Sequence, residues 1–468
     1  MDPVRAVLED RRDRRGSDGA GARRVDRWNP ARLPRRREAA LRPRPLRFPR
    51  RPRREKRRPA VRGAGADRRE GAPLPPRIAG GEGVTPGAAG EAPRFLEAAE
   101  LLDEGVEERA YAAAVLRVAR GDELLFERSA GYARAASLFD IASLTKPLTA
   151  ALFFVLSQEG RLFPDGIAAE VLPFTSPDPR AREIRFAHLL SHTSGLPAWL
   201  PLYEKVAAAE TTEGRRLSGT AEGHDRILAE VLSLPLSRDP GAGWEYSDLG
   251  YMLLGRAIEV AGFRSLDRLL AEKITGPLGM RETRYLPLAA ISECETGQVI
   301  PTGWSEVRQR EKAGEADDEN AAAMGGVSGH AGLFSTAGDL LLFAREILRA
   351  RKGEGRVLSR PSAARMTTRV AQPAGRPRTQ GFDTPTPAGG VASSPDGAQP
   401  PSVSQAGGLA PADAVGHLGY TGCSMWIDPV REISVILLTN RVVFGSGNRK
   451  LSALRPRIHD AVWKEIAG

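Results

Sequence analysis

The sequence has few cysteines and no long run of apolar residues. Cys294 and Cys423 are the two cysteines in 468 residues, which excludes a disulfide framework and gives no metal-ligand spacing. The longest apolar stretches, 148–156 and 433–438, are too short for a transmembrane helix. The basic N-terminus is not followed by an apolar core of about 7–15 residues, so no signal peptide is predicted.

Basic residues are in excess only at the N-terminus. Residues 1–80 contain 26 Lys+Arg and 10 Asp+Glu, a net charge of +16, and Lys56 is the only lysine among them. The remaining residues contain 42 basic and 48 acidic side chains, a net charge of −6. The sequence pI of 9.9 therefore reflects the first 80 residues. The folded remainder is not expected to bind nucleic acid.

Residues 1–90 consist largely of Arg, Pro, Gly and Ala and show no periodic apolar face. Such a segment cannot compensate for its own ordering entropy and is predicted to be disordered. Three interpretations are open: an arm that binds acidic polymers, a solvated tail, or the product of a start site assigned too early. We favour the third interpretation, because near-exclusive use of Arg over Lys is unusual for a basic arm. The sequence as it stands predicts a cytoplasmic protein, whereas a later start would leave export open.

From residue 95 to residue 468 the sequence has the pattern of one folded domain. Strand hairpins are predicted at its two ends, around 121–122 and 428–429. A final helix at 456–466 is predicted to carry its proline in the first turn. These elements predict an α+β fold, with an antiparallel sheet of N- and C-terminal strands flanked by helices, and a central helical lobe. Further helices are predicted at 97–108, 145–158, 249–260 and 265–273, and a Pro/Gly/Ser-rich loop at 371–412.

Ser143 and Lys146 form an S-x-x-K pattern at the start of an apolar helix. A spacing of three residues puts the hydroxyl and the amine on one helix face, close enough to exchange a proton. The helix N-terminus favours a developing oxyanion and is expected to lower the pKa of the lysine. The pattern alone is also typical of a capping serine followed by a solvated lysine.

Two later stretches strengthen the catalytic interpretation. Tyr246 and Asp248 precede an apolar helix, and a phenol there can pass a proton if a nearby ammonium lowers its pKa. His417, Gly419 and Tyr420 precede the last predicted hairpin. A glycine-rich edge strand lets backbone N–H groups approach a ligand closely and bind an oxyanion.

These three motifs, in this order, resemble those of the serine β-lactamase and penicillin-binding-protein superfamily. The similarity is greatest to the class C β-lactamase-like branch, whose second motif is Y-x-N and whose third is K-T-G or H-x-G. Within that branch the sequence resembles a subgroup of serine hydrolases that includes esterases and an amidase acting on muropeptides. Further stretches that carry the resemblance are 139–142, 189–196, 274–280, 318–334, 381–385 and 439–442.

The resemblance implies a β-lactamase-like fold and a role for each matching residue. Ser143 would be the acylated nucleophile and Lys146 its base. Tyr246 would protonate the leaving group and then activate water, although the identity of the base is disputed in this superfamily. The backbone N–H groups of Ser143 and Tyr420 would form the oxyanion hole beside Gly419, and His417 would line the pocket. No cofactor or metal is implied.

Two departures from the family pattern affect the expected activity. Asp248 stands where Asn is usual, and its carboxylate favours the charged form of Lys146 and cannot donate a hydrogen bond to an acyl carbonyl. His417 stands where classical β-lactamases have Lys, so a permanent cation for the carboxylate of the drug is missing. We therefore predict hydrolysis of small esters or amides with weak or no β-lactamase activity.

Several other polar residues are open to a structural explanation. His188 and His192 have the spacing of a zinc-binding helix, but Leu189 replaces the required Glu, so we interpret both as turn residues. His330, Asp318 and Asn320 could contact the cleft as supporting residues or serve only in loop hydrogen bonding. The sequence also lacks a G-x-S-x-G elbow and a phosphate-binding G-x-x-x-x-G-K-[ST] loop.

Three functions remain to be distinguished. The first is an acyl-serine hydrolase for small esters, amides or muropeptides, including the possibility of a D-amino-acid-type peptidase. The second is a non-catalytic binder of cell-wall fragments, which Asp248 favours and the intact Ser143, Lys146 and Tyr246 oppose. The third is a nucleic-acid protein that acts through its arginine-rich N-terminus.

Overall fold

The computed structural model describes residues 94–287, 299–370, 378–386 and 403–467. The predicted disordered segment 1–90, Cys294 and much of the predicted loop 371–412 lie outside these ranges. No helix in the described part of the chain combines the length and the apolar character needed to cross a bilayer.

Strands from the two ends of the domain form one five-stranded antiparallel sheet, in the order β2-β1-β10-β9-β8. The register pairs Val115 with Leu438 and Val118 with Phe126. The α+β prediction is confirmed, as is the sharing of one sheet by early and late strands. The strands of this sheet are β1 (Ala113–Arg120), β2 (Glu123–Gly131), β8 (Val415–Leu418), β9 (Ser424–Asp428) and β10 (Ile433–Thr439).

The shorter strands form two small sheets. One has the order β3-β7-β4, and the other is the hairpin β5-β6. The first of these positions Ser143, because β3 leads directly into the segment that holds this residue. The strands are β3 (Phe139–Asp140), β4 (Arg284–Tyr285), β5 (Gly303–Ser305), β6 (Arg310–Lys312) and β7 (Leu333–Ser335).

Helices make up the central lobe and also cover the large sheet. The helices are α1 (Leu96–Glu107), α2 (Thr145–Gln158), α3 (Phe186–Leu190), α4 (Leu202–Glu213), α5 (Ala221–Ser233), α6 (Asp248–Gly262), α7 (Leu266–Leu270), α8 (Glu319–Ala323), α9 (Ala337–Lys352), α10 (Arg360–Thr367) and α11 (Lys450–Ala467). Helix α7 continues into a π-helical turn, Ala271–Thr275, and then a single turn, Gly276–Leu278.

Both faces of the large sheet are buried, because successive side chains of its central strands pack alternately into two cores. In β1, Val115 faces the main core with α2 and the lobe, whereas Leu116 faces a second core formed with α1 and α11. In β10, Leu438 and Leu437 divide between the same two cores. Because successive side chains point to opposite faces, a strand that is buried on both faces has a continuous run of apolar residues in its sequence.

The predicted position of Pro456 is wrong. The last helix begins at Lys450, so Pro456 lies in its interior rather than in its first turn. Proline there removes one backbone hydrogen bond, which ordinarily disfavours a helix. Leu451 and Leu454 of the preceding turns are buried against the sheet, and this packing stabilises the helix on both sides of the proline.

Candidate active site

Ser143 lies in a tight turn between β3 and α2. The 3-10 turn Ala142–Leu144 leads directly into the helix, and Ala142 has a left-handed φ of 45°. Such a conformation is strained for a residue with a Cβ and needs support from its surroundings. Asp140 provides it, because its carboxylate accepts hydrogen bonds from the N–H groups of Ala142 at 2.7 Å and Asp317 at 2.6 Å. Burial, together with the Asp317 carboxylate, raises the pKa of Asp140 to about 7.

The Lys146 amine is fully buried and has three oxygen partners. Nζ lies 2.8 Å from Ser143 Oγ, 3.0 Å from the carbonyl oxygen of His330 and 2.7 Å from Asp248 Oδ1. The contacts to Ser143 and His330 are hydrogen bonds, and the contact to Asp248 is an ion pair. Burial lowers the pKa of Lys146, but Asp248 and Tyr246 outweigh it, so the pKa is raised overall. The expected lowering of this pKa by the helix N-terminus is therefore not what the site produces.

Tyr246 is placed by the start of α6. Ser247 caps this helix by accepting a hydrogen bond from the N–H of Gly250 at 3.2 Å, and its own hydroxyl donates to Pro197 O at 2.7 Å. The Tyr246 ring centre lies 4.9 Å from Lys146 Nζ, and its phenol oxygen is buried beside Lys146 and Ser143. Burial raises the pKa of Tyr246, and the nearby ammonium only partly opposes the rise.

The third motif lies at the edge of the large sheet, next to the Ser143 turn. Strand β8 ends at Leu418, and the hydroxyl of Thr421 donates to the carbonyl oxygen of Asp140 at 2.8 Å. His417 is 4% exposed, and its ring centre lies 6.0 Å from that of Tyr246. Burial, reinforced by Lys146, lowers the pKa of His417 to about 3, so this residue is neutral at physiological pH.

Gly419 allows the β8 turn to approach the Ser143 turn. A Cβ at this position would lie 2.6 Å from the carbonyl oxygen of Ile141 and 3.3 Å from Cys423 Cβ. Gly419→Ala is expected to push the two turns apart, lowering the free energy of unfolding by about 1–3 kcal/mol and ester hydrolysis by about tenfold. Thermal melts and steady-state rates measure both effects. Gly447→Ala is the matched control, because a Cβ there meets nothing within 4 Å; equal losses in both variants would contradict the steric explanation.

His330 and Asp318 lie directly behind Lys146. The two His330 ring nitrogens lie 3.0 Å from Asp318 Oδ1 and 2.8 Å from Ser328 Oγ, while its carbonyl oxygen contacts Lys146. Burial raises the pKa of Asp318, but His330 outweighs it and the pKa is lowered overall.

Asn320 lies apart from this group, since its amide binds the backbone of Leu200 and Tyr203 at 2.9 Å.

The two histidines with zinc-like spacing serve different local purposes. His188 Nδ1 accepts a hydrogen bond from the N–H of Arg185 at 3.1 Å, and His192 Nδ1 accepts one from the N–H of Ser247 at 3.0 Å. The His192 ring also lies 4.5 Å from the Tyr246 ring, a contact that the turn interpretation did not include. The described residues contain no cluster of three or more His, Cys, Asp or Glu side chains suited to a metal ion.

Residues 378–386 run beside the β8 edge, and the sequence analysis did not assign them to the site. Asp383 and Gly416 exchange backbone hydrogen bonds of 2.6 and 3.0 Å. Arg378 is 1% exposed, forms an ion pair with Asp383 at 2.7 Å and lies 4.0 Å from the Trp244 ring centre. The only sequence signal that links this segment to the site is the family resemblance of residues 381–385.

The fold brings Ser143, Lys146 and Tyr246 together in one buried cluster. Residues 98–456 match the family model described as Beta-lactamase, so the chain belongs to the beta-lactamase family, within the serine β-lactamase and penicillin-binding-protein superfamily of serine hydrolases. The resemblance to this superfamily, stated from the sequence motifs, is thereby confirmed.

Known relatives agree with this assignment. The chain is 31% identical over 328 residues to an Escherichia coli O157:H7 protein named "Putative D-alanyl-D-alanine carboxypeptidase". The aligned region covers 65% of this chain and 69% of the relative. An octameric penicillin-binding protein homologue from Pyrococcus abyssi has a TM-score of 0.56 at 19% identity, covering 76% of each chain. EstCE1, a hydrolase with promiscuous acyltransferase activity, has a TM-score of 0.56 at 20% identity, covering 78% of this chain and 97% of that one. These two structures establish similarity of fold.

Proposed function

We propose that this protein is a serine hydrolase that forms an acyl-enzyme on Ser143 and cleaves small esters or amides, with weak or no β-lactamase activity. The observation that carries the proposal is the buried contact of 2.8 Å between Lys146 Nζ and Ser143 Oγ. A lysine with this contact and no exposure to solvent is not the solvated lysine of an ordinary helix start. Its burial favours a chemical role.

In the proposed acylation, Ser143 Oγ attacks the acyl carbon while the neutral amine of Lys146 takes the hydroxyl proton. The carbonyl oxygen becomes an oxyanion, bound by the N–H groups of Ser143 and Tyr420. Tyr246 donates its proton to the departing alcohol or amine, which breaks the ester or amide bond, and is reprotonated through Lys146. In deacylation Tyr246 assists a water molecule, whose oxygen bonds to the acyl carbon as Ser143 Oγ leaves with a proton. The products are a free acid and the restored serine.

A serine-directed fluorophosphonate tests this function directly. We expect wild-type protein to gain one phosphonyl group, mapped to Ser143 by peptide mass spectrometry, at a rate that rises with pH. The mapping includes every other serine as an internal control. A protein that is folded but remains unlabelled would contradict the proposal.

A substrate comparison tests the predicted preference for esters. His417 is neutral and Asp248 is bound to Lys146, so neither supplies a free cation or an amide donor to a bicyclic lactam. We expect kcat/KM for short p-nitrophenyl esters to exceed that for a chromogenic cephalosporin by at least about 100-fold, the scale of one lost oriented donor. Faster hydrolysis of the cephalosporin would make this prediction wrong.

Two alternatives have a specific observation in their favour. The name of the E. coli relative favours a D-amino-acid-type peptidase or muropeptide amidase, which release of D-alanine from a D-Ala-D-Ala peptide would support. The ion pair between Lys146 and Asp248 favours a non-catalytic binder of cell-wall fragments. Saturable muropeptide binding without turnover or acylation would select that reading.

A further inference from the structure

A buried guanidinium lies behind the turn that follows β8. Arg441 begins the 3-10 turn after β10 and is 8% exposed. Its Nε donates a hydrogen bond of 2.7 Å to the carbonyl oxygen of Tyr420, and its guanidinium carbon lies 4.6 Å from the centre of the Tyr420 ring. The backbone N–H of Arg441 donates to Thr421 O at 2.9 Å. Arg441 thus contacts both the ring and the carbonyl oxygen of Tyr420, and its backbone binds the carbonyl oxygen of Thr421.

The position of Tyr420 matters because its N–H is one of the two proposed oxyanion donors. A donor is effective only if it is aimed in advance at the place where negative charge develops. The carbonyl of Tyr420 is held on the side of Arg441, and Thr421 is tied to Asp140 by its hydroxyl. These contacts restrict rotation of the backbone on the C-terminal side of the Tyr420 N–H.

Within the described residues, the Arg441 guanidinium forms no ion pair with a carboxylate. Its remaining side-chain hydrogen bonds within the described residues go to the carbonyl oxygens of Ser446 at 3.4 Å and Asn448 at 3.0 Å. In a medium of low dielectric, a buried guanidinium favours nearby negative charge.

We propose that Arg441 is a positioning residue for the reaction: it fixes the Tyr420 backbone so that the Tyr420 N–H meets the oxyanion. The inference rests on the proposed acyl-enzyme function. Arg441 acts through Tyr420 and does not itself touch the substrate. Its loss therefore reduces stabilisation of the transition state and leaves binding of the ground state intact.

Arg441→Gln is the principal test, with steady-state kinetics on a p-nitrophenyl ester. We expect kcat to fall about 30-fold with KM changed by less than about twofold, since a displaced oxyanion donor costs less than the 10²–10³ of a deleted one. Phenylboronic acid, which bonds to the serine oxygen as a tetrahedral adduct, should bind more weakly by about the same factor. Arg441→Lys keeps the charge but loses the planar stack, and should recover only part of the rate.

Two further variants separate positioning from general destabilisation. Arg128→Gln removes a partly buried guanidinium that binds Asp103 at 2.6 Å on the far face of the sheet, and should lower the melting temperature without changing kcat. Tyr420→Leu keeps the backbone N–H but loses the ring contact, and should lower kcat by about fivefold at constant KM. If Arg441→Gln fails to fold, Arg441→Lys and Tyr420→Leu carry the test.

The outcomes distinguish this inference from the function on which it rests. Unchanged kcat and unchanged boronate affinity in folded Arg441→Gln would overturn the positioning role alone, provided that wild-type protein is labelled at Ser143. A raised KM at constant kcat would also overturn it, because Arg441 would then be a substrate contact. Wild-type protein that takes no fluorophosphonate would overturn the hydrolase itself.

Discussion

Ser143→Ala is expected to reduce ester hydrolysis by at least about 10⁴-fold and to abolish fluorophosphonate labelling, because loss of a nucleophile in a serine hydrolase removes most of the rate enhancement. Ser143 Oγ is the hydroxyl oxygen that lies 2.8 Å from Lys146 Nζ, so the substitution removes the atom that the proposed base activates. Stopped-flow release of p-nitrophenol and intact-protein mass spectrometry measure the two effects.

Ser137→Ala is the matched control for this variant. It makes the same chemical change six residues earlier, at a partly exposed position where the hydroxyl accepts a hydrogen bond from the N–H of Arg134. We expect its rate and labelling to equal those of wild type. A purified Ser143→Ala protein that retains a tenth of the activity or more, after a control for contaminating esterase, would exclude an acyl-enzyme on Ser143.

Asp248→Asn is expected to move the pH dependence of the reaction. In wild type the carboxylate at 2.7 Å holds the pKa of Lys146 above its usual value, so the neutral base is scarce near pH 7. An amide in its place should lower that pKa, because it removes a close counter-charge that favours the ammonium. Since the rate follows the neutral fraction, kcat/KM at pH 7 should rise about 10- to 100-fold and the rising limb should shift to lower pH.

The stability of the same variant provides an independent check with a definite sign. Without the carboxylate, burial still lowers the pKa of Lys146 and Tyr246 alone raises it, so the folded pKa of the variant lies below that of wild type. The native variant then binds fewer protons than native wild type, so its stability must rise with pH relative to that of wild type. We expect melting temperatures of Asp248→Asn to increase from pH 6 to pH 9 more steeply than those of wild type. A pH–rate profile that does not move would contradict a role for the neutral Lys146 amine.

Much of the fold was predictable because the pattern of apolar residues and turns is local. The hairpins around 121–122 and 428–429 and the helix Thr145–Gln158 were all predicted within a few residues. Placing strands from both ends in one sheet also followed from the order of the elements. The helix start at Lys450 was missed because proline is read locally as a first-turn residue, whereas the packing of Leu451 and Leu454 outweighs that preference.

The chemistry of the site was only partly predictable, because charge balance depends on distances. The sequence indicated that Ser143 and Lys146 share a face and that Asp248 could oppose a neutral amine. It could not show that burial and the carboxylate act in opposite directions on one pKa. The contacts of Arg378 with Trp244 and Asp383 depend on a stretch whose composition predicted only a loop.

The bond from the Thr421 hydroxyl to the Asp140 carbonyl joins residues 281 positions apart, and β1 lies between β2 and β10 in the sheet. Non-local contacts form only once the entropy of closing the intervening segment has been lost, so we expect these contacts to form late in folding. On the ribosome, a nascent chain that ends before residue 415 contains Ser143 and Lys146 but lacks Tyr420, and with it half of the proposed oxyanion hole. Hydrolytic competence should therefore arise only after residues 415–420 have been synthesised and have packed against the Ser143 turn.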